Sequence, residues 1–123
     1  MENQKLGAMG EGIAKKYLQG RYYKTLFQNL RLGKLEIDLV VQDPNGVVVI
    51  VEVKTIKKGS PFHKAQDNYT NQKRRNIQRA AQKFLGLYPH YISQAGIRID
   101  LITIELTQEN SGPKAFLAHH QNI

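Results

Sequence analysis

The stretch from Leu35 to Lys54, LEIDLVVQDPNGVVVIVEVK, decides how this chain reads. Leu35–Gln42 and Val47–Ile56 are apolar and rich in β-branched residues, the composition of buried strands. Between them stands Asp43-Pro44-Asn45-Gly46, where Asp opens a turn, Pro fixes the second position and Gly can take a positive φ at the fourth. The two runs therefore form a hairpin, and its loop length sets the register. A four-residue loop would pair Gln42 with Val47 and set Asp38 against Val51, splitting the acids between faces. A three-residue loop, a type I turn followed by a left-handed glycine, pairs Asp43 with Val47 instead, and Asp-Pro-Asn-Gly suits it. Asp38 then stands opposite Glu52 and Glu36 opposite Lys54, with Cβ atoms roughly 5 Å apart.

Charge inside a buried hairpin is costly unless it is paired or bound to something. Two opposed carboxylates repel, and burial sharpens the repulsion. A bound Mg²⁺ (or Mn²⁺) would relieve it, because such an ion takes oxygens from one or two carboxylates, waters and a substrate phosphate. Asp38 and Glu52 are the candidate ligands. Val53 points its side chain away from them, which leaves its carbonyl as a further hard oxygen. Lys54 is placed to orient or deprotonate a water, or to stabilise charge on the transition state. Lys54, Asp38, Glu52 and Glu36 thus form a candidate catalytic set for metal-assisted phosphodiester hydrolysis. The plainer alternative is a cross-strand ion pair between Glu36 and Lys54, with Asp38 partly solvated.

Around this hairpin the chain alternates helices and strands. Leu6, Met9, Ile13 and Tyr17, widened by Ala14 and Leu18, predict a helix over 4–19 ended by Gly20. A strand over 22–32 follows. A polar segment from Lys57 to Asn71, with Gly59, Ser60 and Pro61, reads as a loop. A second helix over 70–88 carries Ile77, Ala80, Ala81, Phe84, Leu85 and Tyr88 on one side and Arg75, Arg79 and Lys83 on another, and Pro89 stops it. A strand over 96–106, a turn at Asn110–Pro113 and a short strand over 115–118 complete the chain. The order αβββαβ(β) predicts an α/β sandwich, a single domain over residues 1–123.

The charge is unevenly placed. The net charge is +8, and the segment from Lys57 to Arg98 holds nine basic residues against the single acid Asp67, so it carries the whole excess. Lys57, Lys58, Gln72, Lys73, Arg74, Arg75, Arg79 and Lys83 are the candidate nucleic-acid contacts, since a basic half beside an acidic cation site suits a polyanion. Cysteine is absent, so disulfides, thiolate metal sites and thiol nucleophiles are excluded, and a cytoplasmic setting is expected. No apolar run follows Met1–Lys5 and the longest one, Val47–Val51, is too short to cross a bilayer; neither a signal peptide nor a membrane span is expected. His63, His90, His119 and His120 show no metal-ligand spacing, and the last two read as a solvated tail. Tyr22, Tyr23, Tyr69, Tyr88 and Tyr91 read as packing residues rather than base-stacking ones.

Glu36-Ile37-Asp38-Leu39, then Val49-Ile50-Val51-Glu52-Val53-Lys54-Thr55, preceded by Gly10-Glu11-x-x-Ala14-x-x-Tyr17-Leu18, resemble the YraN-like family of uncharacterised bacterial proteins. The resemblance runs on through Asn29, Arg31, Gly59, Pro61, Lys73, Phe84-Leu85 and Arg98-Ile99-Asp100. That family is similar in plan to the PD-(D/E)xK nucleases and to archaeal Holliday junction resolvases. The resemblance implies a restriction-endonuclease-like three-layer sandwich, a mixed central sheet of four to five strands flanked by helices. It implies Asp38 and Glu52 as metal ligands, Lys54 as the catalytic lysine, and Glu11 as a helix acid that joins the metal. The competing role for Glu11 is a helical ion pair with Lys15. Analogy with junction-cutting relatives implies DNA as substrate, branched or structured, and a homodimer. Two positions depart from the family pattern: Leu35 stands where glycine usually precedes Glu-Ile-Asp, and Ile56 where arginine often follows Thr55. A fold of this kind also serves without catalysis, so a nucleic-acid-binding module and a scaffold for an acidic partner stay open as alternatives.

Overall fold

The computed structural model describes residues 3–58 and 70–123. Helix α1 (Asn3–Gly20) leads into β1 (Lys24–Leu32), β2 (Leu35–Gln42) and β3 (Val48–Lys57). Helix α2 (Asn71–Leu87), a single 3-10 turn at Pro89–Tyr91, β4 (Ile97–Glu109) and β5 (Gly112–His120) follow. The expected order αβββαββ is therefore observed. The strands form one mixed sheet in chain order, β1-β2-β3-β4-β5, antiparallel except for the parallel pair β3–β4, whose connection carries α2. Most of the predicted loop after Lys57, with Gly59, Ser60, Pro61, Lys64, Asp67, His63 and Tyr69, lies outside the described residues.

Alternation along β2 and β3 divides the core in two. Leu39, Val41, Val49 and Val51 pack under Ala14 and Leu18 of α1. Val40, Val48 and Ile50, one residue out of phase, pack under Ile77, Ala80, Ala81 and Phe84 of α2. This is the three-layer α/β arrangement, with the sheet between two helices. The Asp43–Gly46 turn has the expected chemistry: Gly46 N–H donates to Asp43 O at 3.0 Å, Asp43 N–H to Val47 O at 2.9 Å, and Gly46 sits at φ +91°. Gln42 pairs with Val48 and Leu39 with Val51, the register of the three-residue loop.

Four local expectations change. Gly20 is the last residue of α1, but the left-handed residue that ends the helix is Tyr22, at φ +68°, whose N–H bonds Gln19 O, so β1 starts at Lys24 rather than Tyr22. Met9 is 45 % exposed, and Gly10 takes its place against the sheet. Leu85, on the apolar side expected of α2, is exposed. The β4–β5 hairpin is much longer than its sequence suggests, with Glu109 paired to Gly112 across Asn110–Ser111. As an edge strand, β5 is mostly exposed, and outside the 115–118 core read from the sequence it carries too little apolar alternation to show its full length. Pro113 is tolerated there because an edge strand can forgo a donor.

Candidate active site

Asp38 stands where β2 and β3 part, so the expected direct cross-strand Asp38–Glu52 pair does not form. The antiparallel ladder ends at Leu39–Val51, and the next free donor on β3, Val53 N–H, is taken by Asp38 Oδ2 at 2.8 Å. A side chain thus replaces a ladder bond, and Asp38 lies in the fork between the strands rather than squarely on one face. Asn29 opens the same gap from the other side. It sits at φ +52°, and the β1–β2 register passes from Gln28–Leu39 to Leu30–Ile37 with no Asn29–Asp38 pair. The irregularity also switches faces, for Ile37 packs with the α2 layer while Leu39 packs with the α1 layer.

Each helix then supplies one side of the site. From α1, Glu11 reaches Asp38 closely enough for a carboxyl–carboxyl hydrogen bond. Gly10 permits this approach: a β-carbon there would stand 1.8 Å from Thr55 Oγ1, so α1 can cross β3 closely only because Gly10 has none. Oriented with its nitrogen inward, the Asn29 amide donates to both Glu11 oxygens, at 3.0 and 3.2 Å. From the α2 side, Glu52 pairs with Lys54 at 3.2 Å, both side chains largely buried, and Lys73 stands beside them. Glu52 and Lys73 line a cleft of ≈ 190 Å³ with Lys34, Leu35, Glu36 and Asn76.

The electrostatics follow from crowding like charges away from water. Burial, then the charge of Asp38, pushes Glu11 up to about 7. Burial and then Asp38 push Glu52 to about 7 as well, against the pull of Lys54. Asp38 is raised by burial, with the Val53 N–H and Glu11 opposing. Lys73 is lowered by burial and by Lys54. Such an oxygen set is short of positive charge, and that is the condition a hard divalent cation satisfies. Among the described residues no three of His, Cys, Asp and Glu are gathered tightly enough to hold an ion by themselves. An ion held here would be completed by main-chain oxygen, water and phosphate, as Mg²⁺ sites usually are.

Some expected partners separate. Glu36 pairs with Arg31 at 3.7 Å, an exposed contact, and Lys54 with Glu52, so the alternative Glu36–Lys54 pair does not form. Lys15 donates to Gln28 at 3.2 Å, and Glu11 faces Asp38 and Asn29 instead. Val53 packs its side chain in the α1 layer. Gln72, Arg74, Arg75, Arg79 and Lys83 are exposed along α2, where Arg75 donates to Gln72 Oε1 at 3.0 Å. Lys57 and Lys58 are exposed beyond Lys54 at the end of β3.

A second polar cluster escaped the sequence reading. Asp100 is fully buried and accepts from Arg98 Nε at 3.1 Å, from Asn122 N–H at 3.0 Å and from His119 Nε2 at 2.7 Å. Arg98 also donates to Asp43 Oδ2 at 2.7 Å and to the Tyr23 hydroxyl at 2.9 Å, while Tyr17 meets His119 Nδ1 at 3.0 Å. His119 is therefore no solvated tail. The partners it binds are fixed by β4–β5 pairing, which the sequence hides. Arg98 and Asp100 share a strand face and were the available signal. Tyr88 and Tyr91 pack against Phe27 and Phe84 as expected.

Residues 10–104 match the uncharacterised protein family UPF0102, the YraN-like proteins, and the chain belongs to that family. A UPF0102 protein of Corynebacterium efficiens is 36 % identical over 111 residues, covering 90 % of this chain and 86 % of the relative. One from Chlorobaculum parvum is 39 % identical, covering 82 % and 75 %, and one from Mycobacterium tuberculosis is 35 % identical, covering 100 % and 94 %. Among solved structures, one described as an EndoMS–dsDNA2 complex aligns at TM-score 0.42 and 13 % identity over 71 % of this chain and 32 % of that one.

Proposed function

We propose that this protein is a divalent-metal-dependent nuclease with a restriction-endonuclease-like core, hydrolysing phosphodiester bonds in DNA, branched or structured DNA included. The observation that carries the reading is the fork, where Glu11 and Glu52 each feel the charge of Asp38 and Lys54 pairs with Glu52. Asp38 and Glu52, with the Val53 carbonyl and Glu11, would hold Mg²⁺ or Mn²⁺. When bound, that ion would supply Lewis-acid polarisation of the phosphate and a more acidic water. Lys54 orients the water and offsets the charge that grows on the phosphoryl oxygens. Lys73 adds a second ammonium on the cleft side. The water oxygen bonds to phosphorus, the ester P–O bond breaks, and the leaving oxygen takes up a proton.

The test incubates purified protein with duplex, single-stranded and junction DNA, with Mg²⁺ or Mn²⁺ and with EDTA. Metal-dependent cutting that Asp38→Asn and Glu52→Gln abolish is expected. Cutting that survives both changes overturns the assignment. A second reading, a binding module without catalysis, is favoured by the lack of a three-side-chain ligand group among the described residues. It predicts salt-sensitive DNA binding, no cutting with either metal, and binding that Glu52→Gln leaves unchanged.

A further inference from the structure

The cleft beside Glu52 does not end at Lys73. It touches α2 at Lys73, Asn76 and Ile77 and the β1–β2 turn at Lys34, Leu35 and Glu36. A second cleft, of ≈ 490 Å³, touches α2 at Lys83, Gly86 and Leu87 and the same turn at Arg31, Leu32 and Gly33. The two lie on the same two elements, one towards Lys73 and the other towards Lys83. From Lys73 to Lys83 the helix rises about 15 Å. Gln72, Asn76, Arg79 and Lys83 recur at spacings of four, three and four, so they form one polar stripe along α2. Gln72 donates to Asn76 at 3.0 Å.

The Lys83 end is basic. Lys83 Nζ lies against the turn, 3.3 Å from where a β-carbon on Gly33 would sit. Lys83 makes no ion pair among the described residues, and Arg31, with 73 % of its side chain exposed, has only the loose 3.7 Å contact with Glu36. Leu32, Leu87 and Tyr88 give that end an apolar floor.

We propose that the two clefts form one groove that seats a single strand of nucleic acid, with the phosphate to be cut beside Glu52 and Lys73 and a second phosphate held by Arg31 and Lys83. This rests on the nuclease reading above and adds the path of the strand. A strand rises about 3.4 Å per nucleotide when stacked, so the groove spans roughly four nucleotides. The charge order singles out this ligand: an acidic peptide would be repelled by Glu36 and Glu52 at the cleft end, where a phosphate can share a cation. The apolar floor suits bases and sugars, while the basic rim suits phosphates.

The experiment measures fluorescence anisotropy of a labelled single-stranded oligonucleotide of about twelve residues, in EDTA, from about 50 to 200 mM salt. Arg31→Gln and Lys83→Gln are each expected to weaken binding several-fold at low salt and to flatten the plot of log affinity against log salt by roughly 0.7. Lys114→Gln, on β5 and paired with Glu109, serves as the control and keeps wild-type binding. Wild-type affinity and slope in both groove variants, while the wild-type protein binds, overturn this path and leave the nuclease reading standing. A wild-type protein that fails to bind the oligonucleotide even at low salt also overturns the path, while the nuclease reading is decided separately by the cleavage assay with Mg²⁺ or Mn²⁺.

Discussion

The two acidic clusters of this molecule are opposites. At the fork, Glu11 and Glu52 are held near 7 and Asp38 above its ordinary range, because burial and mutual repulsion outweigh their partners. In the β4 network, Asp43 and Asp100 are held below the ordinary range although burial raises them too. Arg98 at Asp43, and His119 with Arg98 at Asp100, outweigh it. The same residue type in the same sheet is over-supplied with cations in one place and starved of them in the other. The satisfied cluster ties the hairpin turn, Tyr23 ahead of β1, β4, α1 and the C-terminal strand together. The starved one is the candidate site, since carboxyl groups perturbed by burial and like charge in a cleft are candidates for function.

The contrast breaks first if the wrong cluster proves essential. Asp38→Asn and Glu52→Gln should cut metal-dependent DNA cleavage by on the order of 100-fold or more. Both should keep or raise the melting temperature, because each removes a repulsion; gel assays and calorimetry read the two effects. Arg98→Met should do the reverse in stability, leaving Asp100 buried without its main cation. It is expected to cost about 3–5 kcal/mol in urea denaturation. A loss of less than about 1 kcal/mol would put the network among exposed, weakly coupled pairs.

A smaller effect sharpens the geometry. Gly10→Ala drives a methyl into Thr55, and overpacking of this kind costs about 1–3 kcal/mol. Its β-carbon also pushes α1, and Glu11 with it, off the fork, so cleavage should fall more than stability does. Equal, small changes in both would mean that Glu11 takes no part.

The gentlest probe is pH. Asp43 and Asp100 bind protons less readily folded than unfolded, so their stabilisation is present above the ordinary carboxylate value and is lost as pH falls through the lowered one. Glu11 and Glu52 act in the other direction. Their favourable contribution is complete below 4.5 and disappears as pH rises through about 7. Thermal melts of the metal-free protein should therefore weaken both in strong acid and from pH 4.5 towards 7. Added Mg²⁺ should abolish only the second loss.

How much of this was legible in the chain depends on locality. The hairpin register was readable from Asp43-Pro44-Asn45-Gly46 because turn chemistry is local, but the direct Asp38–Glu52 pair expected from it is missing because the ladder stops at Leu39–Val51. The element order followed from periodicity in the same way. The fork was not readable, since it arises from Asn29 at φ +52° and from a side chain substituting for a ladder bond. Placing the acids at a strand split, reached from both layers, needed the packing of both helices. Glu36 lost its expected partner for the same reason, the strands having separated before they reach it. The Arg98–Asp100–His119 network joins residues about 20 positions apart through the end of a β5 strand whose extension past Ala118 is too exposed to announce itself.

The most direct test of the fork is a carboxyl-carbon NMR titration of Glu11 and Glu52, with and without Mg²⁺. Without the ion both should titrate near 7, and saturating Mg²⁺ should bring both midpoints down towards or below 4.5. Midpoints near 4.5 in the metal-free protein, or midpoints that Mg²⁺ leaves in place, would contradict a cation site here.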